Sequence, residues 1–549
     1  MSKPAYRQQL KRIREAFPSP RSDRLHDAYF VFSIMRALDQ VDEMKSEVPL
    51  LGTTVRLDYA AAEAERIAEL PSTVESVSRE MVRTLEGMPI WGHPRTQINV
   101  VPPPTIPGIV GSLLASIYNP NLVSDDTSHA VEVAECRAAA MSAALIGYDP
   151  SISTGVFTFG GTGTTLYGVR IGIEKAIPDA LHDGVGAKGV IITSGQSHYA
   201  RLNVAGWLGL GEKNVINVPT NLTNDVRVDI FETECRKAIE AERRITAIIA
   251  TMGTTDAFGI DDLAAIVDVR DRLVEEYDLD YCPHIHADAV IGWAWSVFNF
   301  YDFEANPLGF RPGTVRALAD AGRRISKLHL ADSVGIDFHK TGFAPYVSSL
   351  FLVRNRSDME LLVRGRDKMP YLFQTGERHP GVFTLETSRS GAGPLTALAN
   401  LLLLGRQGLQ VILGHLVEMA ELLREHLESH GYTTVLNRDN VGPVTLFRIY
   451  PDDVDIWTIK DRERTDLSAR DELLAHNEYN RRIFYYLHEQ AMAGKGVRIS
   501  MTDCYRHTDY GEPIVALKSY MLSPFIDEDD VECLVTTVLQ ARKKLETDS

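Results

Sequence analysis

Between about residue 105 and residue 400 the chain alternates short β-rich runs with stretches long enough for a helix, and this rhythm restricts the fold more than any other feature. The runs at 156–159, 189–193, 215–218, 245–251, 284–289, 333–336 and 349–353 carry the β-branched and aromatic residues that suit strands. Strands joined through helices pair in parallel, and a parallel sheet needs helices over both faces. The expected fold class is therefore α/β, with a mainly parallel central sheet covered by helices. Ligands of such sheets sit beyond the carboxyl ends of the strands, so chemistry is sought just after each run.

The flanks read differently. Residues 1–104 are helical and polar, with heptad-like apolar spacing at 28–35 and 60–70, and form an N-terminal arm that packs on something else. Pro102, Pro103 and Pro104 make an extended connection into a large domain expected to span 105–405. Residues 406–549 bring an amphipathic helix at 408–430, strand-like runs at 444–450 and 496–500, and a last helix at 527–545, which make a small α+β domain. The net charge of −17, without a run of like charges, argues against a nucleic-acid partner. Five scattered cysteines without CxxC spacing read as reduced thiols of a cytoplasmic protein, with neither a disulfide frame nor a metal site. The first residues lack the apolar core of a signal peptide. The most apolar run, 395–404, is about half the ~20 residues that cross a bilayer, so no membrane partner is expected.

The run Ala331-Asp-Ser-Val-Gly-Ile-Asp337 delivers Phe338, His339 and Lys340 into a turn marked by Gly342 and Pro345. A lysine there stands on a rigid base with its amine free, as a Schiff-base lysine requires. The run His284-Ile-His-Ala-Asp288 places a carboxylate in a second strand. Together they suit pyridoxal phosphate, which needs an amine to bond its aldehyde and a carboxylate to keep its pyridine nitrogen protonated. Gly160-Gly-Thr-Gly163 follows another run and opens a helix, where the backbone can approach an anion and the dipole favours phosphate. Its spacing is neither a dinucleotide fingerprint nor a P-loop, and alone such a turn serves packing as readily as phosphate. His198, in Ser194-Gly-Gln-Ser-His198, reaches the same edge, either to stack on a flat cofactor or as a hydrogen-bonded core histidine. The hydroxyls of Thr254 and Thr255 either bond the cofactor or cap the next helix, for which Asp261 is an N-cap candidate. His93 is open to two readings as well, a cleft residue or a loop histidine.

Gly160-Gly-Thr, Ser197-His198, Gly253-Thr-Thr, His286-Ala-Asp288-Ala and Asp337-Phe-His-Lys340 stand in the order and approximate spacing of the group II pyridoxal-phosphate-dependent amino acid decarboxylases. The chain resembles that family over about 90–400. The resemblance implies the type I fold of aspartate aminotransferase, with pyridoxal 5′-phosphate carried by Lys340. It assigns Asp288 to the pyridine nitrogen and His198 to the ring face. Gly161, Thr162, Gly163 and His339 would hold the phosphate, and Thr255 would lie near the ring hydroxyl. It further implies a homodimer with the site at the interface, and Ser388 and Ser390 reaching across it towards the phosphate. Tyr371 falls where members of the family carry a mobile-loop tyrosine that protonates Cα after CO2 leaves, and the resemblance implies that role for it, with Phe373 a competitor for that position. Departures from the family pattern are Thr165, Ala287, Val290 and Phe338; Val290 would add bulk beside the cofactor.

The expected reaction on this resemblance is decarboxylation of an L-amino acid to its amine. The surroundings of Lys340, with Gly342, Pro345 and Tyr346, are most similar to the tyrosine decarboxylase branch, so an aromatic substrate is the first expectation. An acidic substrate would need an arginine in the cleft, for which Arg95, Arg389 and Arg498 are candidates. A retro-aldol lyase, an oxidative aldehyde synthase and an aminotransferase share the same motifs.

Overall fold

A computed structural model describes residues 5–186, 188–370, 375–440, 442–452 and 454–547. Its strands are β1 (Thr96–Gln97), β2 (Thr154–Thr158), β3 (Gly189–Ser194), β4 (Val215–Val218), β5 (Arg244–Thr251), β6 (His284–Asp288), β7 (Ser333–Asp337), β8 (Ser349–Val353), β9 (Thr433–Val435), β10 (Val444–Ile449), β11 (Arg498–His507) and β12 (Pro513–Tyr520). The first sheet runs β2-β8-β7-β6-β5-β3-β4. Within it β3, β4, β5, β6 and β7 pair in parallel, and β8 runs against both β7 and β2. No described helix separates β7 from β8, and a connection without a crossover permits only antiparallel pairing.

The central strands are buried along their whole length because helices lie on both faces. The Gly161–Ala176 helix crosses one face so closely that a Cβ added at Gly168 would sit 2.6 Å from the His286 ring. Phe338 belongs to the core: its ring stacks on Phe157 at 5.9 Å and meets Trp293 at 4.8 Å, so a packed aromatic lies directly under the Lys340 turn.

The second sheet runs β1-β11-β12-β10-β9, with the Arg470–Met492 helix packed on it and the Glu528–Thr547 helix packed against that helix and against Ala392–Glu428. Its edge strand β1 comes from the N-terminal segment and pairs in parallel with β11. The helix expected at 408–430 is the second of two that join end to end over Ala392–Glu428, with a non-helical break at Gly405, where φ is 54°. The apolar run 395–404 lies in the first of them. By length and composition alone the joined span could cross a membrane; Leu398, Leu401, Leu409, Leu413 and Leu416 are buried in the protein core, while Leu402 and Leu403 are exposed.

Candidate active site

The carboxyl ends of β2, β3, β5, β6 and β7 open into a cleft of about 1490 Å³, walled on one side by Tyr505, Arg506 and Lys518 of the C-terminal domain. Strand β7 ends on Asp337, and the turn after it brings Lys340 Nζ back to 3.0 Å from Asp337 Oδ2. Ser349 Oγ donates to Asp337 Oδ1 at 2.6 Å, and His339 Nε2 lies 3.6 Å from Oδ2. The Ser348 N–H donates to His339 Nδ1 at 3.2 Å. Burial pulls the Lys340 amine down, but the carboxylates of Asp337 and Asp288 more than reverse this and leave its pKa above the ordinary lysine value. Burial likewise raises Asp337, and Lys340 and His339 outweigh it, so this carboxyl lies below its usual range.

Asp288 ends β6, and the Met252 N–H donates to its backbone carbonyl at 2.9 Å, which ties this strand end to the Met252–Thr255 turn. Its side chain is buried and Oδ1 has no hydrogen-bond partner among the described residues. Burial pushes this carboxyl up to about 6 against the opposing pull of Lys340. A buried carboxylate oxygen without a donor is unfavourable unless a cationic donor meets it. His198 also lines the cleft, and burial, followed by the charge of Lys340, brings its pKa down to about 4. The ring is neutral at physiological pH, and because Nδ1 accepts the Ala200 N–H at 3.1 Å, its proton sits on Nε2.

Gly160 has φ 135°, and a Cβ added there would meet nothing within 4 Å, so the chain turns into the helix facing open space. At Gly161 a Cβ would lie 2.9 Å from Asp337 Oδ2 and 3.1 Å from Val290, and at Gly163 it would lie 2.9 Å from Thr158 Cγ2. The backbone is pressed against the strand ends there; the Gly163 N–H donates to the Gly160 carbonyl at 2.8 Å, and the first helical N–H groups before it have no acceptor within the helix. Val290 stands beside this cradle, as its place in the sequence suggested. Thr162, Thr165 and Thr255 line the same cleft.

Asp261 is not the helix cap. Asp262 caps, accepting the Ala265 N–H at 3.1 Å, whereas Asp261 is buried and accepts the Val226 and Thr251 N–H groups, each at 2.7 Å. Burial pushes its pKa up to about 7. His93 lies away from the cleft lining, with Nδ1 accepting the Arg95 N–H at 3.1 Å within its loop. None of the three arginines expected for an acidic substrate lines the cleft. Arg389 is a buried structural ion pair with Glu135 that also donates to the Phe157 and Leu122 carbonyls, each at 3.0 Å. Arg95 faces Asp530 at 3.6 Å, and Arg498 sits at the start of β11.

Ser388 and Ser390 are exposed and stand outside the cleft of their own chain, in a segment where Thr387 has φ 59°. Tyr371 and Phe373 lie outside the described residues. On one side of them Met369 packs with Val123, and on the other Asp125 Oδ2 accepts the Glu377 and Arg378 N–H groups at 3.0 and 3.2 Å. Neither flank lines this cleft. Sequence reasoning missed Arg201, Asp256, Arg506 and Lys518. Arg201 and Asp256 each sit just beyond a recognised motif, while Arg506 and Lys518 arrive from the C-terminal sheet with no local signal.

The unpartnered Asp288 oxygen and the glycine cradle fit pyridoxal phosphate, and with the fold they define a pyridoxal-phosphate enzyme of fold type I. The model for the pyridoxal-dependent decarboxylase conserved domain matches residues 60–450, and the chain belongs to that family. It is an amino acid carboxy-lyase. It is 24% identical to L-2,4-diaminobutyrate decarboxylase of Rhizobium meliloti over 440 residues, 78% of this chain and 81% of that one. It is 27% identical to L-tyrosine decarboxylase of Enterococcus faecium over 301 residues, 50% of this chain and 46% of that one. The crystal structure of Oryza sativa TDC with PLP and tryptamine has the same fold, with a TM-score of 0.74, 17% identity, and coverage of 96% of this chain and 100% of that one.

Proposed function

We propose that this decarboxylase acts on an L-amino acid whose side chain ends in a second carboxylate, such as glutamate or aspartate, and that it works as a homodimer. The carrying observation is the charge of the cleft wall. Lys518 pairs with Asp256 at 2.7 Å, Arg227 with Asp229 at 2.6 Å, and Arg464 with Asp461 at 3.3 Å and Asp509 at 3.6 Å. Arg201 and Arg506 have only neutral hydrogen-bond acceptors among the described residues. Arg201 donates to Asn217 Oδ1 at 2.9 Å and to the Ser197 carbonyl, and Arg506 to the Asn221 carbonyl at 2.9 Å and Asn224 Oδ1 at 2.8 Å. Burial lowers the pKa of Arg201. A desolvated guanidinium without an anion favours a ligand that brings one. A second reading is an aromatic substrate such as tyrosine, supported by Phe159, Tyr199 and Tyr346 on the cleft wall and by the likeness to L-tyrosine decarboxylase.

The bound cofactor supplies an electron-withdrawing ring that stabilises the charge left at Cα when CO2 departs. Asp288 would hold the proton on the ring nitrogen, His198 would cover the ring face with its proton on Nε2, and the cradle from Gly161 to Gly163 with His339 would take the phosphate. Tyr371 would return a proton to Cα.

The homodimer is supported by the Ile106–Tyr118 helix, which exposes Ile106, Ile109, Val110, Leu113, Leu114 and Tyr118. An apolar face of that kind marks an interaction surface. With a second copy against it, Ser388 and Ser390, which stand outside the cleft of their own chain, would serve the other site. The free cysteines Cys136, Cys235, Cys282, Cys504 and Cys533 support a reducing, cytoplasmic setting.

The test incubates the cofactor-loaded protein with a pool of L-amino acids and follows CO2 and amines by mass spectrometry. Loss of CO2 from glutamate or aspartate supports the acidic reading, and loss from tyrosine alone replaces it with the aromatic one. A keto acid, an aldehyde or a split carbon skeleton without the amine would reject both.

A further inference from the structure

We propose that Asp337 is a positioning residue for Lys340: it holds the lysine ammonium at the strand end whenever Nζ is not bonded to the cofactor, and so sets the pH at which the protein captures pyridoxal phosphate. The proposal rests on the reading of Lys340 as the cofactor lysine.

The geometry is that of a built docking point. Asp337 is the last residue of β7, fully buried, and its two oxygens have separate duties. Oδ1 is fixed by Ser349 Oγ at 2.6 Å, from the neighbouring strand β8. Oδ2 receives no such bond and points at Lys340 Nζ, 3.0 Å away. That same oxygen borders the glycine cradle, because a Cβ added at Gly161 would lie 2.9 Å from it. A carboxylate pinned on one side and open on the other keeps the ammonium beside the place where the aldehyde must arrive. Other titratable or charged groups face Nζ too: His339 from its own segment, Asp288 from β6, His198 from the loop after β3, and Tyr346 from the turn. Of these carboxylates, Asp337 alone is within ion-pair distance.

Capture requires the neutral amine. Nζ first gives a proton to solvent, then adds to the aldehyde carbon, and the aldehyde oxygen leaves as water. An adjacent fixed carboxylate favours the ammonium and therefore delays capture to higher pH. It also gives the ammonium a fixed place to return to when a substrate amine displaces it.

The experiment strips the full-length protein of cofactor and mixes it with pyridoxal phosphate across a pH series. Capture is followed by absorbance, fixed with borohydride, and its position read by peptide mass mapping. For Asp337→Asn the capture midpoint should move down by about one pH unit, with capture at pH 7 about tenfold faster. Ser349→Ala, which frees the carboxylate without removing it, should move the midpoint the same way by less, and decides the matter if the first variant does not fold. Label on Lys340 with an unmoved midpoint in the folded variants overturns the role of Asp337. Label on a different lysine overturns the underlying reading of Lys340 instead.

Discussion

Asp288→Asn should make the cofactor-free protein more stable while weakening the site. The carboxyl is buried with Oδ1 unpartnered, and its pKa rises from an ordinary 3.8 to about 6. Its folded form therefore keeps a proton that the unfolded chain has already released between those two values, and stability falls as pH rises through that window. At ~1.4 kcal/mol per pH unit, the displacement costs roughly 3 kcal/mol at pH 7.5, and asparagine of the same shape carries no such cost. For 549 residues, at ~2.1 cal/mol/K per residue, this corresponds to a rise in Tm of about 2–3 °C at pH 7.5 that shrinks towards zero near pH 4. The assay is thermal melting of parent and variant without cofactor, at one protein concentration and several pH values, alongside cofactor titration. The variant should melt higher at pH 7.5, bind pyridoxal phosphate more weakly and lose turnover. A variant that melts lower at pH 7.5, or whose advantage does not change with pH, would show that Asp288 carries no functional cost.

Gly163→Ala should reduce cofactor affinity at least about tenfold without unfolding the chain, because overpacking against Thr158 costs ~1–3 kcal/mol and displaces the cradle; an unchanged Kd in fluorescence titration contradicts this. His284 and His286 share the Ser333 hydroxyl at 2.8 and 2.9 Å, and burial holds both pKa values down to about 3. They stay neutral in the fold while the unfolded chain takes up protons below pH 6.5, so stability should fall on acidification, by about 2 kcal/mol for each at pH 5. Melting curves at pH 7.5 and pH 5 check this, and replacing His286 with asparagine should flatten the pH dependence. An equally steep profile in that variant counts against the assignment.

The strands of the large domain were legible as compact apolar runs, and β3, β5, β6 and β7 are also buried and each closed by a motif that lies at or just past its end. For the same reason Lys340, Asp288, His198 and the glycine turn could be placed at one edge before any coordinates. What was not legible is non-local. The pairing of β1 with β11 joins Thr96 to Arg498, and nothing in two residues announces a strand. Arg506 and Lys518 reach the cleft only because the C-terminal sheet docks beside it, and Arg201 stands out only once Asn217 and Ser197 show which oxygens it meets. Adjacent carboxylates at 261 and 262 carry the same local signal, and burial alone decided which of them caps. Phe338, a departure from the family pattern, reads as core once its contacts with Phe157 and Trp293 are seen.

The most direct test of the account is to load the full-length protein with pyridoxal phosphate, reduce it with borohydride, digest it and locate the modified lysine by mass spectrometry, with Lys340→Ala treated in parallel. The account requires the label on the peptide that contains Lys340, and a Lys340→Ala protein that folds, takes no label and releases no CO2 from any amino acid. Label on another lysine of the parent, or undiminished CO2 release by the variant, would contradict it.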